Sequence, residues 1–253
     1  MTAPSSPTPM PIRYLIFDLG GTLMHARDDW QPIHQQADDA LVQTLSKHGI
    51  DLKAEVFRAR LHEYYQQRDK DFHETTYHLV LRELLQELHH AEVDESILRS
   101  ALDALFSVTQ TNWQLEADAI EMLEQLKSTK FRLGIFSNAG DNKDVQQLIE
   151  SFKIGSYFDF VLTSAACFYR KPHPRAFEIA LAHWNADPKE AAMIGDSLSA
   201  DIAGAKNLNM TSIWISRRAQ FDDEDMRRIQ PDFSLRKLTE LLPTLDRISI
   251  SRM

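Results

Sequence analysis

Short apolar runs separated by longer amphipathic stretches set the texture of this chain. The first, IRYLIF at 12–17, is rich in aromatic and branched residues and ends at Asp18. A run of that kind predicts a strand buried on both faces. FRLGIF (131–136), FDFVLT (158–163), AAMIG (191–195) and TSIWIS (211–216) repeat the pattern. Between them, DAIEMLEQLKS from Asp118, KDVQQLIESF from Lys143 and PRAFEIALAHW from Pro174 space their apolar residues at three and four, as helices do. Alternation of this kind predicts an α/β protein with a doubly wound, mainly parallel sheet.

Residues 28–113 have a different texture and no strand signal. ADDALVQTLSKHG, KAEVFRARLHEYYQQ, TTYHLVLRELLQEL and ESILRSALDALF all carry helical spacing. The pattern predicts an all-helical insert over 28–113, of small-domain size, interrupting a core made of 12–27 and 114–253. The opening MTAPSSPTPMP, residues 1–11, is rich in Pro, Ser and Thr without apolar periodicity and is read as a flexible leader.

Composition narrows the setting. The 253 residues are 43% hydrophobic, enough for one large domain or for a core carrying a smaller one. A net charge of -9 argues against nucleic acid or an anionic membrane surface as partner. No apolar stretch is long enough to span a bilayer, and the single cysteine, Cys167, fits a reducing compartment. A cytoplasmic protein, monomer or homodimer, is expected. Glycine is scarce, at 8 residues, and Gly20, Gly21, Gly140, Gly195 and Gly204 fall after strands or at the helix that follows one. Ligands of open α/β sheets bind at those strand ends.

The polar residues at the same ends suggest a chemistry. They are Asp18 with Thr22, Ser137 with Asn138, Lys171, and Asp196 with Ser197 and Asp201. A carboxylate can serve as a nucleophile toward phosphorus. Hydroxyls and a lysine can hold phosphoryl oxygens, and a second carboxylate can seat Mg²⁺. Structural alternatives exist for each: Ser137 or Asn138 as a helix N-cap, Lys171 as an exposed loop residue, Asp196 and Asp201 as flanks of a helix beginning near Leu198.

FDLGGTL, IFSNAG, RKPHPRAF and MIGDSLSADIAGAKNLNM, in that order, resemble the four motifs of the haloacid dehalogenase superfamily. The likeness covers nearly all of the chain after the leader, and PDFSLRKLTELL resembles that family's closing strand and helix. It implies a Rossmann-like core with the helical insert as a cap. It further implies a Mg²⁺-dependent phosphatase-type hydrolase acting on a small phosphorylated metabolite through an aspartyl-phosphate. By the resemblance, Asp18 is the nucleophile, Thr22 steadies the first loop and touches the phosphoryl group through its backbone or its hydroxyl, and Ser137, Asn138 and Lys171 bind it. Asp18, the Gly20 carbonyl and Asp196 would ligate Mg²⁺, with Asp201 and Ser197 behind them.

One position departs from the phosphatase pattern. Where that pattern has a second acid, two residues beyond the nucleophile, this chain has Gly20. Loss of a general acid typically slows a reaction by about 10²–10⁴-fold. The loss is worst for alkyl phosphates, whose alkoxide leaves poorly. His25, Asp28 and Asp29 are candidate substitutes, each also readable as a solvated hinge residue. Gly20 leaves two alternatives open: a metal-independent 2-haloacid dehalogenase-type hydrolase, and a non-catalytic protein that binds a phosphorylated ligand or a partner. A phosphonatase would want a cap lysine, and Lys53, the nearest, reads as surface.

Overall fold

The apolar runs assemble into one six-stranded sheet whose pairings are all parallel. The computed structural model describes residues 11–90, 93–219, 221 and 223–251; the leader, but for Pro11, lies outside them. β1 (Tyr14–Phe17), β4 (Arg132–Ser137), β5 (Phe160–Thr163), β6 (Ala191–Gly195), β7 (Thr211–Ile215) and β8 (Phe233–Leu235) take the order β5-β4-β1-β6-β7-β8. The chain runs outward from β1 to β5, then returns beside β1 as β6 and runs the other way. That reversal puts a crevice at the carboxyl ends of β1, β4 and β6, the usual ligand position of such sheets.

Alternate strand residues face opposite layers. Leu15, Phe17, Ile135 and Ile194 pack with α5 (Ala119–Lys127), α6 (Asn142–Ser151) and α11 (Leu241–Ser251). Ile16, Phe136 and Met193 pack instead with α8 (Pro174–Ala182) and α9 (Ala203–Asn207). Burial on both faces explains why these strands read as continuous apolar runs. Among the described residues no helix is long and apolar enough to cross a membrane.

Between β1 and α5 come four helices, α1 (Trp30–Ser46), α2 (Ala54–Asp71), α3 (Tyr77–Glu87) and α4 (Glu95–Gln110). They share a core of their own, built on Leu41, Phe57, Leu81, Leu102 and neighbours. The sequence pattern misses how the insert joins the sheet domain. Met24–Ala26 (β2) and Trp113–Leu115 (β3) pair antiparallel as a small ribbon. At three residues each, neither is long enough to show a period. Glu116, next to the ribbon and buried, is gripped by Arg217 and Arg218, so the foot of the ribbon is fixed to the loop after β7.

Candidate functional site

Asp18 follows β1 directly and is 7% exposed. Its Oδ1 accepts from Lys171 Nζ at 2.6 Å, and the same ammonium reaches Asp201 Oδ1 at 2.7 Å and the Phe136 carbonyl at 2.8 Å. Two hydrogen bonds and a second ion pair thus engage the ammonium. Lys171 is 3% exposed, so it is not the exposed loop lysine that was one reading of its sequence position. Burial opposes its charge, but Asp18 and Asp201 outweigh burial and hold the ammonium above its ordinary pKa. Asp18 is pushed up to about 6, by burial first and by Asp201 next, with Lys171 opposing.

The loop after β4 sets Lys171 in place. Asn138 accepts from the Lys171 N–H at 2.8 Å and donates to its carbonyl at 3.0 Å, clamping that backbone from both sides. Neither Ser137 nor Asn138 caps α6; Asp141 does, accepting from Asp144 N at 2.9 Å. After β6 the cap is Ser197, which accepts from Ala200 N at 3.1 Å, and not Asp196 or Asp201. Asp201 instead accepts from Ser197 N at 3.0 Å while it holds Lys171.

Asp196 completes a cluster in which carboxyl oxygens of Asp18, Asp196 and Asp201 lie within 4.8 Å of one another. Its carboxyl is raised to about 8, by burial and then by the charges of Asp18 and Asp201. Thr22 Oγ1 donates to its Oδ1 at 3.4 Å. Thr22 is fully buried, so its hydroxyl faces Asp196 and not the open space where a phosphoryl group would sit. Gly21, at φ +86°, lets the loop pass against Asp196: a Cβ there would lie 2.3 Å from Oδ2.

A cavity of about 440 Å³ opens over these strand ends, lined among others by Asp18, Gly20, Ser137, Asn138, Lys171 and Asp201. The proposed substitutes for the missing acid are elsewhere. His25 sits on β2 against Glu116 at 3.2 Å and Gln114 at 2.8 Å, Asp29 caps α1, and Asp28 is held to Asn112 through its backbone. None of the three lines the cavity. Cys167 is buried and donates to the Tyr169 carbonyl at 3.3 Å, as a packing residue does.

Sequence reasoning missed three residues here, because their contacts come from distant segments. Trp113 of β3 lays its indole where a residue-20 side chain would project: a Cβ on Gly20 would lie 3.0 Å from Cη2. Glu74, from the α2–α3 loop, reaches the core and pairs with Arg170 beside Lys171. Asp144 of α6 borders the cavity and accepts from Gln110 of α4 at 2.9 Å.

Burial raises the Asp144 carboxyl to about 6 from 3.8; Asp141 pushes the same way, while the Gln110 bond and Arg99 oppose. The folded state therefore prefers the protonated form. The resulting destabilisation is absent below about pH 4 and complete above about pH 6, so stability falls as pH rises between them. Asp144→Asn is expected to stabilise the protein by about 2 kcal/mol at pH 8 and to change little at pH 4, read by urea unfolding at both. An equal effect at the two pH values would contradict this.

Comparison with known proteins identifies the family. The sequence profile of the haloacid dehalogenase-like hydrolases matches residues 38–215. Glyceraldehyde 3-phosphate phosphatase of Pyrococcus furiosus is 26% identical over 239 residues, 93% of this chain and 94% of that one. Among solved structures, 2-haloacid dehalogenase from Pseudomonas syringae pv. Tomato DC3000 superposes with a TM-score of 0.68 at 25% identity, over 94% of this chain and 99% of its own. The HAD phosphatase from Thermococcus onnurineus gives 0.63 at 26% identity, over 92% and 98%. With the profile spanning most of its length, the four motif loops meeting at one crevice belong to a member of the haloacid dehalogenase-like hydrolase family.

Proposed function

We infer that the protein is a phosphohydrolase that removes the phosphoryl group from a small phosphorylated metabolite, with Asp18 as nucleophile and the segment 28–113 as a cap over the site. The observation that carries this is the buried Asp18–Lys171–Asp201 array bordering one cavity with Ser137. Converging, mutually perturbed charges at a crevice are characteristic of catalytic sites. The phosphatase names of relatives that match more than nine-tenths of the chain, 93% and 92% of it, support the reading.

In this scheme an Asp18 carboxylate oxygen attacks phosphorus, and the bond from phosphorus to the leaving oxygen breaks as an aspartyl-phosphate forms. Water then attacks the same phosphorus, releasing inorganic phosphate and restoring the carboxylate. Ser137 donates its hydroxyl to a phosphoryl oxygen. Lys171 spreads positive charge toward the nucleophile and the transferring group, held on line by Asp201 and Asn138. The clustered carboxyl oxygens are a hard donor set that fits Mg²⁺. Asp18, Asp196 and the Gly20 carbonyl would hold the ion, whose charge neutralises the phosphoryl oxygens. Nothing at position 20 protonates the departing oxygen, so leaving groups that depart as anions are favoured.

Phosphate release from a panel of alkyl, aryl and acyl phosphates, with Mg²⁺ or EDTA, tests this. Release is expected with Mg²⁺, lost in EDTA, and faster for acyl and aryl esters by at least about 10²-fold over alkyl. Gly20 and the similarity to a 2-haloacid dehalogenase favour a second reading, in which Asp18 attacks carbon. Halide release from 2-haloacids in EDTA would favour it. Stabilisation by Mg²⁺ and beryllium fluoride without any turnover would instead indicate a binding protein.

A further inference from the structure

A second cavity, about 410 Å³, adjoins the first and lies between the helical insert and the loop after β4. Trp30, Leu61, Tyr65, Leu105, Phe106 and Trp113 give it a largely apolar, aromatic wall. Trp113, Ala139 and Asp144 belong to the walls of both cavities, so the chamber begins where the catalytic basin ends. At that junction the Trp113 indole lies over Gly20 and meets Trp30 edge-on, ring centroids 5.0 Å apart.

The polar groups of the chamber are largely engaged with one another. Asp38 takes two bonds from Arg58, both at 2.8 Å, and the Tyr65 and Tyr77 hydroxyls bond to each other. His34 stacks on Trp30 at 5.2 Å. Among the described residues Arg58 is the lysine or arginine in this lining, and it is already paired. A second phosphate or a carboxylate on the substrate would find little to neutralise it there. An aromatic ring would find edges and faces to pack against. A cavity of roughly 150 Å³ accommodates benzene, so this one has room for one or two fused rings.

The chemistry of the basin points the same way from an independent observation. With Gly20 in place of an acid and Trp113 filling that space, the leaving oxygen departs unprotonated. A phenolate does so readily and an alkoxide does not. We propose that the chamber is the leaving-group subsite and that the substrate is an aryl phosphate monoester, its ring held against Trp113 and Trp30 and its phosphoryl group at Asp18. Attack by Asp18 transfers the phosphoryl group and releases the phenolate, which takes a proton from solvent. This rests on the phosphohydrolase reading and names its substrate class.

Phenylphosphonate and methylphosphonate separate ring recognition from leaving-group chemistry, since neither carries a leaving oxygen. Each is titrated as an inhibitor of acetyl phosphate hydrolysis by the full chain with Mg²⁺. Burial of the ring predicts an inhibition constant about 10–100-fold lower for phenylphosphonate. Trp30→Ala is expected to reduce that ratio to below about threefold. Should this variant not fold, as judged by circular dichroism, Thr109→Trp fills the chamber from the last turn of α4 and is expected to do the same. Equal inhibition by the two probes, with acetyl phosphate still hydrolysed, overturns the aryl subsite and leaves the phosphohydrolase. A ratio that survives both variants overturns the assignment to this chamber. No acetyl phosphate hydrolysis at all removes the phosphohydrolase reading and this inference together.

Discussion

Asp18→Asn is expected to lower Mg²⁺-dependent phosphate release by about 10⁴–10⁶-fold, the range seen when a catalytic nucleophile is removed. The amide keeps the shape of the side chain but cannot attack phosphorus. Folding should survive. Lys171 retains Asp201 as an ion-pair partner and the Phe136 carbonyl as an acceptor, and the like-charge repulsion that Asp18 exerts on Asp196 disappears. The urea midpoint without metal is therefore expected to hold or rise at pH 8, while activity collapses. Activity within tenfold of the unmodified protein would move the nucleophile elsewhere. A collapse of stability in parallel would make the loss uninformative about chemistry, so both are measured on one preparation.

Glu74→Ala is expected to cost about 3–5 kcal/mol of stability, the usual penalty for removing one partner of a buried ion pair. The Glu74 carboxylate is fully buried; it pairs with Arg170, receives the Ser164 hydroxyl at 2.5 Å and has Arg68 at 3.9 Å. Its loss leaves Arg170 unneutralised in a place where burial already lowers the guanidinium pKa. For a chain of this size that corresponds to a drop of about 6–20 °C in melting temperature by calorimetry. The loop carrying Glu74 is also hydrogen-bonded to the main chain ahead of Lys171, Glu74 N to Phe168 O at 3.0 Å and Arg170 N to Phe72 O at 2.8 Å. Phosphate release is accordingly expected to fall as well. A change of less than 1 kcal/mol would show that Arg170 finds another partner or reaches water.

What could be read from the sequence depended on how local the physical cause was. The bounds of Ala191–Gly195 are legible because burial on both faces leaves a run of uniformly apolar character. Asp18, Ser137 and Asp196 could be singled out because polar residues at the ends of such runs stand at the ligand end of a parallel sheet, and Lys171 because RKPHPRAF resembles a family motif. Their convergence near one crevice follows from the strand order. Trp113, Asp144 and Glu74 carry no comparable signal. Trp113 meets Gly20 across more than ninety residues of chain, and Glu74 finds Arg170 across a similar span, so only the packed structure shows them. The helical insert was legible from its spacing, its ribbon was not, and the caps of α6 and of the turn after β6 fell one to four residues from where composition suggested.

That ribbon has a mechanical consequence. β2 and β3 are the two crossings between insert and core, and they are laddered from Met24 with Leu115 to Ala26 with Trp113. Two free tethers would let the insert slide, twist and tilt in separate directions. Laddered together they are held as one plate, so that a hinge of the insert about its foot has also to release the ties of Glu74 to Arg170 and of Gln110 to Asp144. The foot is pinned, since Met24 is bonded to Gly21 and Glu116 to Leu23 on the core side. Trp113 stands at the far end of the plate. Any swing of the insert thus carries the indole across Gly20 like a shutter, and the distance of the helices from the core and the exposure of the loop beside Asp18 become one coordinate instead of two.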